Sequence, residues 1–91
     1  MKRYVIERDI PGFGEFSATE LCGAARASNQ ALAKLGADIQ WEHSYVTADK
    51  SFCVYLAKDE AAIKQHSDLS GIPFSKVTEV SQRIDPLSAN Q

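Results

Sequence analysis

Two runs of β-branched and aromatic residues, IQWEHSYVT (residues 39–47) and FCVYLA (residues 52–57), flank the short polar stretch ADKS. This pattern predicts a β-hairpin, and it constrains the chain more than any other feature. With residues 48–51 as the turn, Thr47 faces Phe52, Tyr45 faces Val54 and His43 faces Leu56. Alternation then sets Trp41, His43, Tyr45, Phe52, Val54 and Leu56 on one side, and Glu42, Ser44, Val46, Cys53, Tyr55 and Ala57 on the other. Neither side is cleanly polar, so a sheet built on this hairpin needs cover on both faces.

The flanking segments supply the rest of a fold. Residues 3–8 read as a strand centred on Val5 and Ile6. The loop Pro11-Gly12-Phe13-Gly14 breaks it and carries no phosphate-binding spacing. Ser17 and Glu20, three residues apart, form a capping box for a helix whose apolar stripe is Leu21, Ala24, Ala25, Leu32 and Leu35. Gly36 is suited to end that helix. Asp59 caps a second helix, EAAIKQHSDLS, with Ala62, Ile63, His66 and Leu69 on its stripe, and Gly71 and Pro73 stop it. Residues 76–84 read as a last strand, ended by Asp85-Pro86, and residues 87–91 as a frayed tail. The order strand–helix–strand–strand–helix–strand specifies an α+β ferredoxin-like fold over residues 1–86: a four-stranded antiparallel sheet with both helices on one face. The bare face is expected to be covered by a second copy, giving a homodimer of the dimeric α/β-barrel kind.

Composition narrows the function classes. Ninety-one residues with 44% hydrophobic content fit one small domain. A net charge of −2 creates no field for nucleic acid or an anionic membrane. No segment reaches the roughly 20 apolar residues of a membrane span, and the first residues lack a signal-peptide pattern, so a cytoplasmic setting is expected. Cys22 and Cys53 lie in no C-x-x-C pair and are expected to be reduced and buried.

Chemistry-bearing residues are few. His43, in the hairpin's first strand, is a candidate neutral imidazole ligand for a borderline divalent metal. Glu7, Glu42 and Glu79 are the strand carboxylates available as partners, and Glu79 of one copy is expected to approach His43 of another in a face-to-face dimer. His66 lies on the buried stripe of the second helix, suited to packing or to supporting a ligand. No G-x-S-x-G elbow or acid–histidine pattern points to catalysis.

The fragments WEHSYVT (residues 41–47), FCVYLA (52–57), DEAAIKQH (59–66), GIP (71–73) and TEV (78–80), with RYVIER (3–8) ahead of them, are similar in order and spacing to a bacterial family known mainly as a domain of unknown function. That family includes a small, dimeric, nickel-binding protein of ferredoxin-like fold. The chain departs from its pattern at Phe52, where Tyr is expected, and at Leu56, where Glu is expected. The resemblance implies a small dimeric nickel-binding or nickel-responsive protein. The leading reading of the chain is a nickel-binding protein for metal sequestration or tolerance, with His43 the first ligand and Glu79, Glu7 or His66 contributing. The alternative reading is a dimeric α/β-barrel enzyme or small-molecule binder with an aromatic cavity lined by Trp41 and Tyr45 and no need of metal.

Overall fold

A computed structural model describes residues 1–90. Strand β1 (Lys2–Asp9) leads through a 3₁₀ turn at Phe13–Glu15 into helix α1 (Ala18–Leu35). The hairpin β2 (Ile39–Val46) and β3 (Lys50–Ala57) follows, then α2 (Glu60–Ser70) and β4 (Lys76–Glu79). The strands form one antiparallel sheet in the order β2-β3-β1-β4, the ferredoxin-like arrangement expected from the element order. No helix among the described residues is long and apolar enough to cross a membrane.

Local chemistry sets the helix ends. Ser17 Oγ accepts from the Glu20 backbone N–H while the Glu20 carboxylate accepts from the Ser17 N–H, completing the capping box. Asp59 accepts from Ala62 N–H at the start of α2. Gly71 closes that helix at φ 75°, a left-handed conformation open to glycine without steric cost.

The core lies between sheet and helices. Tyr4, Ile6, Ile39, Cys53, Tyr55 and Ala57 from the sheet meet Ala62 and Ile63 of α2, with Leu32 and Leu35 of α1 packed around them. The opposite side of the sheet carries Val5, Phe52, Val54 and Leu56, each only half buried; among the described residues no helix packs over them, and the segment after β4 borders their groove through Val80, Gln82 and Arg83.

Five details differ from the sequence-based expectation. The hairpin register is shifted by two residues: Tyr45 pairs with Phe52 and His43 with Val54. Thr47 causes this, because its hydroxyl donates to the Lys50 carbonyl and accepts from the Lys50 N–H, closing the turn around Ala48-Asp49. A β-bulge between Trp41 and His43 changes the alternation. Trp41 therefore pairs with Tyr55 on the helix side, and Glu42 reaches Arg3 on the open side. β4 ends at Glu79 rather than residue 84, because β1 runs out: Val80 N–H bonds the Arg3 carbonyl, one residue from the start of β1. Of the two free cysteines, Cys53 is buried as expected, but Cys22 is exposed on α1. Residues Pro86–Asn90, expected as a frayed tail, form a 3₁₀ turn, and Gln91 lies outside the described residues.

The loop after β1 is tied to the hairpin turn. Asp49 accepts from Gly12 N–H through its side chain and from Ile10 N–H through its carbonyl, and Gly14 N–H bonds Ala48 O. A Cβ on Gly14 would stand 2.9 Å from the Ala48 Cα, which is backbone and cannot swing away. Gly14→Ala is therefore expected to lower stability by about 1–3 kcal/mol. Gly23→Ala, where a Cβ meets nothing within 4 Å on α1, should raise it by about 1 kcal/mol. Urea midpoints of the two variants check both signs.

Candidate functional site

Strand β1 alternates between the two sides of the sheet. Tyr4, Ile6 and Arg8 point toward the helices and are all buried. Tyr4 and Ile6 join the core. Arg8, at 3% exposure, lines a half-open cavity of about 450 Å³ walled by the sheet, both helices and the loop after β1. The walls are chiefly apolar: Phe13 and Phe16 from the loop, Ala24 and Ala25 from α1, Ile72 after α2, and Trp41 from β2. Four serine, tyrosine and histidine groups cluster near the guanidinium: Ser28, Ser67, Tyr55 and His66.

The contacts of Arg8 are thin for a buried charge. Its Nη2 donates to Ser67 Oγ at 3.5 Å, and its guanidinium carbon lies 5.9 Å from the Tyr55 ring centroid. Its Nε has no hydrogen-bond partner, and no ion pair among the described residues includes it. The neighbouring Asp9 carboxylate is 63% exposed and pairs with Lys50 at 3.7 Å.

His66, 2% exposed, shares a 3.1 Å hydrogen bond between Nε2 and Ser28 Oγ, and its ring lies 5.1 Å from that of Tyr55. Its Nδ1 has no partner. Burial lowers its pKa from 6.5, and the Arg8 charge lowers it further, against the Ser28 hydrogen bond. Burial raises the Tyr55 pKa, with Arg8 opposing. The cavity thus presents one fixed cation beside a neutral imidazole and a neutral phenol.

The residues singled out as metal donors lie apart. His43 is exposed on the open face, edge-on to Tyr45 with ring centroids 5.1 Å apart. Glu42, brought to the same groove by the bulge, is held by Arg3, whose Nε and Nη2 both lie 2.9 Å from its Oε1. Glu7 shares that face but stands two strands away, about 10 Å across the sheet, and lies 3.8 Å from Lys50 Nζ. Glu79 pairs with Tyr4, so it belongs to the helix side, and it contacts Lys2 at 3.5 Å. His43 and Glu79 are therefore on opposite surfaces, and sheet-to-sheet contact between copies does not bring them together. His66 is enclosed behind the sheet. Among the described residues no group of three or more His, Cys, Asp or Glu side chains is placed to hold a metal ion. Trp41 and Tyr45, expected to share one aromatic cavity, are likewise separated by the bulge: Trp41 lines the interior, and Tyr45 lies outside.

Arg8 was not singled out from the sequence. Its signal was nevertheless present: in KRYVIER it stands in phase with Tyr4 and Ile6, where strand alternation calls for an apolar residue.

The fold and these two faces define the class: a ferredoxin-like split β-α-β domain with an interior cavity and an uncovered sheet face. The family model described as "Nickel responsive protein SCO4226-like" matches residues 4–80, and the chain belongs to that family. Among solved structures, the crystal structure of SCO4226 from Streptomyces coelicolor A3(2) superposes with a TM-score of 0.76. The match covers 90% of this chain and 99% of that one, at 12% sequence identity, and it establishes likeness of fold. No protein of curated function matches the chain.

Proposed function

We propose that the chain is a nickel-binding homodimer, serving metal sequestration or tolerance, in which two copies meet through their open sheet faces and share the metal through His43. Membership of a nickel-responsive family supports the metal, and the exposed imidazole of His43 on the uncovered face carries the placement. One chain does not fit a closed nickel shell. It offers one imidazole at that groove, and the nearest carboxylate, Glu42, is already neutralised by Arg3. Nickel accepts imidazole nitrogen readily, so two His43 rings from two copies, with water, form the smallest donor set of the right kind. The face suits self-association: half-buried Val5, Phe52, Val54 and Leu56 form its apolar centre, with Arg3, Glu42, Glu7 and Lys50 supplying both signs of charge.

Titration calorimetry of tag-free protein should give about one nickel per two chains on this donor set. His43→Ala should abolish the heat without changing the oligomer seen by light scattering. Val54→Asp should produce monomers and abolish binding with them. Nickel binding that persists in His43→Ala, or a parent protein that binds none, would overturn the assignment.

A further inference from the structure

We propose that the interior cavity is a binding site for a small organic monocarboxylate with an apolar body, its carboxylate paired to Arg8. This goes beyond the nickel reading and involves other residues on the other side of the sheet.

A guanidinium cannot discharge itself by losing a proton, so once buried it needs an anion or a full set of acceptors. Arg8 has neither. It is 97% removed from solvent, its Nε is unpartnered, its polar neighbours are only the neutral Tyr55 phenol and Ser67 Oγ at a long 3.5 Å, and none of the described carboxylates reaches it. A buried arginine with a purely structural role needs a carboxylate or a full set of acceptors from its own chain. Here the space in front of the side chain is a cavity of about 450 Å³, within the range of small-molecule sites.

The surroundings select the kind of anion. There is a single cation, so the site balances a single negative charge. The Tyr55 hydroxyl is available to the carboxylate's remaining lone pairs, and so is the unpartnered His66 Nδ1 in the tautomer that protonates it, with Ser28 O–H then donating to Nε2. Inorganic phosphate, which needs more donors and a second positive charge, is poorly served. The remaining wall is aromatic and aliphatic, with Phe13, Phe16 and Trp41 facing Ala24 and Ala25. The small alanines leave the room that an apolar body would fill. The solvent-exposed Val46 and Pro73 mark the open side through which it would enter.

Trp41 provides the readout, as the only tryptophan and a wall of the cavity, its indole N–H bonded to Ser44 Oγ at 2.9 Å. Its fluorescence would be followed while isovalerate, benzoate and phenylacetate are titrated, in EDTA so that nickel plays no part. Benzamide and inorganic phosphate serve as controls. The expected result is saturable binding of at least one of the three acids, weakened about tenfold or more for benzamide and by Arg8→Met. Arg8→Lys should recover part of the loss, because it restores charge without the two-pronged geometry. Ala25→Leu, which fills the cavity from α1 and leaves Arg8 intact, should also weaken binding, and far-UV circular dichroism verifies that each variant is folded. Absence of binding by all three acids, equal binding of benzoate and benzamide, or preference for phosphate would each overturn the proposal.

Discussion

Ile63→Ala is expected to remove about 2–5 kcal/mol of folding stability, the largest loss of any single truncation proposed for this chain. Ile63 is completely buried at the centre of the inner face of α2, in one cluster with Tyr4, Ile6 and Tyr55. Deleting three carbons there forfeits their transfer free energy and leaves a void. The surrounding strands are paired on both sides and cannot collapse to fill it. For a domain of this size the whole stability is of the order of 5–14 kcal/mol, so the variant forfeits a substantial part of it. Val54→Ala makes the contrast. Val54 sits on the uncovered face, and in the isolated chain its truncation should cost under about 1 kcal/mol. Urea denaturation at several protein concentrations separates the two, because a dimer held by the open face would make the Val54 effect concentration-dependent while the Ile63 effect stays fixed. Equal costs at low concentration would contradict the one-sided core.

How much of this could be read from the sequence depends on the range of the interactions involved. Local patterns sufficed for the hairpin, the Ser17–Glu20 box, the Asp59 cap and both glycine stops, because each rests on residues a few positions apart. The two-residue register shift escaped because Thr47 closes the turn through its hydroxyl. The faces survived that error, since a shift of two preserves alternation. The bulge did not spare them. It carries Glu42 to Arg3, 39 positions away, and no local pattern announces such a partner. It moved Trp41 into the interior and dissolved the aromatic cavity expected from Trp41 and Tyr45. The length of β4 was likewise set by where β1 begins. Residue type nominates metal donors without fixing the face each occupies, and Glu79 lies on the helix side. The interior site assembles Arg8, Ser28, Tyr55 and His66 from four elements, with no fixed spacing for a motif to record.

Arg8→Met should make the ligand-free protein more stable, by about 1–4 kcal/mol, the reverse of what a core substitution usually does. Methionine retains much of the arginine stem's apolar volume, and the substitution removes a charge that burial leaves without a carboxylate. The same variant should alter the pH dependence through His66. In the folded chain the His66 pKa lies below 6.5, so as pH falls through 6.5 the unfolded chain takes up its proton first, and stability declines toward acid pH. Above 6.5 both states hold a neutral ring and the effect vanishes. The Arg8 charge contributes part of that lowering, so in Arg8→Met the folded pKa should rise toward 6.5 and the acid-side decline should become shallower. Urea midpoints between pH 5 and 8, with His66→Gln to mark the contribution of the ring, measure both effects in one series. A structural arginine would give a loss of stability on replacement. A gain would mean that the chain retains at Arg8 a residue that disfavours its own folding, which is the mark of a group kept for something it binds.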